Sequence, residues 1–151
     1  MCTARALPPR KPQAEPAQVG EKRIVVKAPA QLPYLLMVWH APTLKDWEKD
    51  TTPYLLQILA GVMSGNDSAR LQKSLVKTRQ IAVNASAGYD AVARGPGLFM
   101  IDATPAQGQS MAALEQAIRA EIARIQRDGI SEAELARVFD PAAMTGQGRS
   151  A

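Results

Sequence analysis

The chain is short of almost everything that marks a self-sufficient catalytic centre. Its 151 residues hold one cysteine, Cys2, and one histidine, His40. A lone cysteine forms no internal disulfide and no cysteine-based metal site. A lone histidine leaves no His-x-x-Glu-His or His-Glu-x-x-His pair, and no partner set for Ser/His/Asp or Cys/His catalysis. Asp46, Glu48 and Asp50 follow His40 in HAPTLKDWEKD, but carboxylates near a helix start usually serve the helix dipole. Aromatic residues make up 5% of the chain, too few for the stacking platforms of single-strand binders. No run reaches the roughly 20 apolar residues of a membrane span. Gly61-x-x-x-Gly65 and Gly95-Pro96-Gly97 lack the Gly-Lys-Ser/Thr of a phosphate loop. No catalytic, cofactor-binding or metal-ligating residue is assigned on these grounds.

What is present describes a globular domain. The apolar fraction is 46% and the charged fraction 21%, both ordinary for a packed core. Net charge is +4, with Arg5, Arg10, Lys11, Lys22, Arg23 and Lys27 crowded at the start. That is too mild a bias to imply a nucleic-acid partner. Residues 1–20, MCTARALPPRKPQAEPAQVG, contain four of the 11 prolines. Proline removes a donor and fixes φ, so this stretch reads as an extended linker of the kind that joins two domains. It has no apolar core of the signal-peptide type.

From there the periodicity lays out an ordered set of elements. Ile24-Val25-Val26 is a β-branched run closed by Pro29 and reads as a strand. Tyr34–His40 is a second strand, apolar on both faces, as suits an inner position. Thr52 as cap and Pro53 as first residue open a helix that Ser64-Gly65-Asn66 ends, the alternative being an earlier start around Asp46 with the proline inside the first turns. Asp67 or Ser68 caps another, about 69–78, with Lys73, Lys77 and Arg79 at its C-terminal end. The period then drops to two, with Ile81, Val83, Ala85, Ala87 and Tyr89 on one side of a strand. Residues 98–103 return beside it after the Arg94–Gly97 turn. Met111, Leu114, Ile118, Ile122 and Ile125 mark the clearest helix, which Gly129 stops. Arg119, Arg124 and Arg127 lie with Glu115 and Glu121 on what reads as its solvated face. Most methionines (37, 63, 100, 111, 144) fall at core-like positions. Ser131 and Glu134 form a capping box for a last short helix. Strands and helices come in pairs, so the expected class is α+β, with a mostly antiparallel or mixed sheet and helices on one face. The expected organisation is a linker over 1–20, a domain over 21–138, and a disordered or truncated tail over 139–151.

Three phrases in order carry a family resemblance: KAPAQLPYLLMVWHAP, then PYLLQILAGVMSGNDSARLQKSLVKTRQIAVNASAGYD, then ARGPGLFMIDATPAQGQSMAALEQAIRAEIARIQRDGISEAELARV. Together they resemble the C-terminal-type domain of the insulinase-like (M16) zinc metallopeptidases, from about Glu21 to Val138. The SGNDSARL turn and the following LVKTRQIAVNASAGYD are the most specific part. The resemblance implies a half of the M16 peptidase/LuxS-like fold, and a two-lobed chamber around a peptide. In that family zinc and the catalytic glutamate belong to a His-x-x-Glu-His motif in the N-terminal domain. That motif is absent here, so the resemblance places zinc on a different domain or subunit and none on this chain. Many members add an arginine and, seven residues on, a tyrosine that hold substrate. Those positions are Val76 and Val83 here, whose side chains donate no hydrogen bond, so the role is not carried over. The expectation is a non-catalytic lobe that walls a peptide cleft and docks to a zinc-bearing domain, inactive alone. The alternative is a self-contained binding or assembly module of the same fold.

Overall fold

The structure, a computed structural model, describes residues 17–93 and 95–139. Most of the expected linker and nearly all of the expected tail, Met144 included, lie outside the described residues.

The elements run β1 (Leu35–Ala41), α1 (Thr51–Ser64), a π-helix (Gln72–Thr78), β2 (Ala82–Tyr89), β3 (Gly97–Pro105), α2 (Met111–Asp128) and α3 (Glu132–Phe139). The three strands form one sheet in the order β1-β3-β2, antiparallel at both pairings. Alternation along β3 sorts its two faces: Phe99, Ile101 and Ala103 are buried, while Leu98 and Met100 are exposed. The buried face carries the helices, with α1 and the π-helix against β2, α2 against β3, and α3 against α1. The fold is α+β, as the pairing of elements implied.

Side-chain size decides how close the layers come. The buried face of β2 is nearly all alanine, Ala82 and Ala85 with half-buried Ala87. Larger residues would hold α1 away, whereas here Ser64 at its end touches the β2 backbone. The bulk comes from the helices instead: Met63, Leu71, Leu75, Leu114 and Ile118 are almost fully buried. Gly61 performs the same service between α1 and α3. A Cβ there would stand 2.9 Å from Val138 Cγ1, closer than carbon atoms pack.

Several expectations change. Ile24, Val25 and Val26 form no strand and are about four-fifths exposed (79%, 81% and 79%), because among the described residues no strand lies alongside to pair their backbone. Among the described residues β1 stands at an edge of the sheet rather than inside it; two apolar faces say nothing about which edges are paired. In α1 the N-cap is Asp50 and Pro53 is the third helical residue, still within the first turn, where no N–H is required. Neither Asp67 nor Ser68 caps the next helix, whose N-cap residue, Leu71, has no side-chain cap bond; Asn66 Oδ1 accepts from Ser68 N at 2.9 Å in the turn before it. The following segment widens to a π-helix, which ends with Gln80 at φ 50°. The strict alternation of β2 fails at Val83, where the register shifts between Ala82 and Asn84. One extra residue at this bulge puts Ala82 on the same buried side as Ala85 and turns Val83 outward. Glu121 lies at 7% exposure rather than on a solvated face, held by Ser74 Oγ at 2.6 Å. Met100 is 39% exposed while Met37 and Met63 are buried. The last two elements follow the sequence closely. Ser110 Oγ caps α2, Gly129 ends it at φ 72°, and the Ser131–Glu134 box closes in both directions.

Candidate interaction surface

The helices cover one face of the sheet and leave the other open. Leu36, Val38, Leu98 and Met100 are 51%, 43%, 40% and 39% exposed. Cross-strand registry aligns them: Val38 stands opposite Met100, and His40 opposite Leu98. They form a contiguous apolar strip over β1 and β3. Its far end is polar. Ser86 Oγ donates to Asp102 Oδ1, and Leu36, Asp102 and Ser86 occupy one row across the sheet. Tyr34 lies near this carboxylate. Partial desolvation, then the charge of Asp102, raises its phenol above the usual range. Scattered surface hydrophobes are normal, but a strip of this kind on a sheet face is the mark of a contact surface.

The two sheet edges differ. In an antiparallel strand both backbone groups of a residue point to the same side, and successive residues alternate. On β2 the outward residues include Ala85 and Ala87. Ser64 Oγ donates to Ala87 O at 2.9 Å and accepts from Ala87 N at 2.8 Å. Gln72 Nε2 donates to Ala85 O at 3.0 Å. Ala87 pairs with Ile101, and Ile101 with Met37. Since Ala87 points away from β3, Ile101 directs its groups to Met37. The outward residues of β1 are therefore Leu36, Val38 and His40. Among the described residues no side chain meets their N–H or C=O groups.

The helix-side end of the sheet is aromatic. Trp39, Phe99 and Tyr89 share one cross-strand row, with ring centroids 6.5 Å apart for Trp39–Phe99 and 6.3 Å for Tyr89–Phe99. The Tyr89 hydroxyl donates to Pro42 O, tying the end of β1 to the far strand.

Two ion-pair systems fix the periphery. Arg70 grips α3, with Nε at 2.6 Å and Nη2 at 2.8 Å from the Glu134 carboxylate, and Nη2 at 2.8 Å from Gly129 O. Its Nη1 is buried without a partner. The Arg70 hydrogen bonds, then those of Ser131, pull Glu134 down to about 2 against the cost of burial. Glu115 on α2 accepts both Arg23 Nη2 at 2.7 Å and Arg119 Nε at 3.0 Å, and its pKa is lowered chiefly by Arg23. Arg119 also reaches Glu21 at 2.8 Å, so the segment before β1 is strapped along α2. These latter pairs are exposed and stabilise little.

The polar residues singled out in the sequence lie apart among the described residues. His40 is exposed on β1, and Asp46, Glu48 and Asp50 lie in the turn before α1. Asp50 Oδ2 accepts from Lys45 N at 2.8 Å and Asp46 N at 2.9 Å. Those bonds, Asp46 first, lower its pKa; it staples its own turn rather than facing His40. Among the described residues no group of three or more His, Cys, Asp or Glu side chains could hold a metal ion. Val76 on the π-helix is half-buried against the core, and Val83 on the bulge is 60% exposed. Lys77, expected to serve the end of its helix, donates instead to Asp67 O at 2.7 Å. It lines an open basin of about 380 Å³ with Lys73 and Arg137. No described helix is long and apolar enough to cross a membrane. The surfaces the sequence did not disclose are the two edges, because Ser64 and Gln72 reach β2 across 23 and 13 residues of chain.

Comparison with known proteins bears on this geometry. The model of the peptidase M16 inactive domain matches residues 3–140. Among solved structures, a protease from Helicobacter pylori superposes with a TM-score of 0.65 at 20% identity, over 74% of this chain and 26% of that one. A peptidase M16 inactive domain from Pseudomonas fluorescens superposes with a TM-score of 0.59 at 15% identity, over 77% of this chain and 26% of that one. The chain thus spans about a quarter of the length of either structure. Nothing among the curated proteins matches it.

Proposed function

The chain belongs to the peptidase M16 inactive-domain family, and from that premise we propose that it is a non-catalytic lobe of a zinc peptidase assembly. In this reading it docks against a zinc-bearing M16 domain or subunit and walls the cleft that receives a peptide. The observation that carries it is the open sheet face. Its apolar strip of Leu36, Val38, Leu98 and Met100 offers a surface for a partner layer, while the described residues supply no metal-ligating cluster. Zinc would then be held by the other domain, and this chain's part would be shape and burial.

Val76 and Val83 refine the proposal. With no donor at either position, the lobe would hold peptide by apolar contact and strand edges rather than by side-chain hydrogen bonds. The same two residues favour the second reading, a binding or assembly module of the fold with no peptidase partner.

The test is to purify the chain alone and together with a zinc-bearing M16 protein. Expected are no stoichiometric zinc and no peptide turnover alone, and a stable complex whose peptide hydrolysis exceeds that of the zinc protein by itself. Stoichiometric zinc or turnover by the isolated chain would overturn the lobe reading. A complex without added hydrolysis would favour the assembly module.

A further inference from the structure

The open sheet face carries one carboxylate where a covering layer would bury it. Of the residues in the three strands, Asp102 is the one acid and His40 the one base. β3 is the middle strand, so Asp102 stands at the centre of the sheet rather than at its rim, and it is half-buried. Its register partners are Leu36 on one side and Ser86 on the other. Leu36 directs its backbone groups outward, so Leu36 and Asp102 form a non-hydrogen-bonded pair, in which side chains come closest. Met100, two residues back along β3, flanks the carboxylate on the same face. The charge is thus built into the end of the apolar strip.

Its compensation among the described residues is incomplete. Ser86 Oγ donates to Asp102 Oδ1, and the Tyr34 phenol lies beside the group. Hydroxyls supply dipoles and leave the formal charge standing. The ion pairs of the described residues all lie elsewhere, and His40 is two rows away along the sheet. Open to water, such a carboxylate costs little. Beneath a layer seated on Leu36, Val38 and Met100 it would be strongly unfavourable unless a cation arrived with the layer. We propose that the layer covering this face lays an arginine or lysine side chain on Asp102, its alkyl stem over Leu36 and Met100 and its head on the carboxylate. Apolar surface leads up to the charge, and these two side chains alone bury a stem while presenting a cation. The identity of the layer, the zinc-bearing M16 domain or subunit, rests on the lobe reading. What is added is the chemistry that layer must carry.

The test has two arms. In the first, n-hexylguanidinium, n-hexylammonium and uncharged n-hexanol are titrated against the full chain, followed by the methyl NMR signals of Leu36, Val38 and Met100. The cations should bind about threefold to tenfold more tightly than hexanol. That preference should vanish in Asp102→Asn and persist in Asp67→Asn, which lies outside the sheet. Equal binding of charged and neutral probes, or a preference that survives Asp102→Asn, overturns the proposal. Should Asp102→Asn fail to fold, the native chain decides: the preference should shrink as salt is added, and a preference indifferent to salt overturns it. In the second arm the chain is bound to a zinc-bearing M16 protein. Asp102→Asn should weaken that complex about tenfold or more, and Asp102→Lys further still. A complex indifferent to both substitutions overturns this inference and leaves the lobe reading standing. Failure of the native chain to form a complex overturns the lobe reading, and the inference about its layer with it.

Discussion

At the β2 edge, the outward groups of Ala85 and Ala87 are met by Gln72 and Ser64. At the β1 edge, those of Leu36, Val38 and His40 are met by nothing among the described residues. Among the described residues, the same three-stranded sheet therefore has one side covered by side chains and one side without such cover. The cause is side-chain size. Alanines on β2 admit α1 and the π-helix close enough to bond its backbone. Leu35, Met37 and Trp39 on β1 take up space on the helix side, and no described helix runs along that strand. An edge is thus closed by small residues beneath it as much as by polar residues beside it.

The contrast can be broken most forcefully from beneath β2. Leu75 on the π-helix is fully buried, and Leu75→Ala should cost about 2–5 kcal/mol in chemical denaturation. Arg70→Ala comes next, at about 1–3 kcal/mol, because it strands the Glu134 carboxylate and Gly129 O at partly buried positions. The pair also sets a pH signature. Glu134 has a folded pKa lowered from 4.5 to about 2, so its contribution is full above 4.5 and is lost as pH falls toward 2. Melting curves between those values should show a loss that Arg70→Ala flattens. Ser64→Ala uncovers both groups of Ala87 and should cost about 1–2 kcal/mol. It should also make β2 sticky, read as aggregation by light scattering near the melting point. Gln80→Gly relieves a left-handed non-glycine residue at the π-helix exit and should stabilise by about 0.5–1 kcal/mol. Leu36→Thr, on the open face, should change stability by no more than about 0.5 kcal/mol. A large loss there would mean that β1 is less exposed than the sheet geometry shows.

How far these features were legible depends on the reach of the interactions behind them. Ser110, Gly129 and the Ser131–Glu134 box act within four residues, and the sequence displays them directly. The strand pattern of β3 is equally local, since burial alternates with its pleat. Ile24–Val26 misled because β-branched residues express a preference for a paired environment and do not supply the partner. The Val83 bulge was hidden in a run that alternates well at any register. The widening to a π-helix has no signature in QKSLVKT, and the buried Glu121 looked like any helix-surface acid until Ser74 came to rest against it. The family was readable from ordered phrases. What lay beyond reading was which strand would stand at the edge and which side chains would cover it. Both are settled by contacts far apart in the chain.

The aromatic row gives the molecule an optical gauge of its own. The chain has two tryptophans. Trp47 is 73% exposed, whereas Trp39, on β1, is 38% exposed and lies against Phe99. A soluble quencher should reach the first more readily than the second. Anything that shelters β1 dims only the slower component of that quenching. Occupancy of the edge can thus be followed in the native protein by its own fluorescence, with no label added and no residue changed.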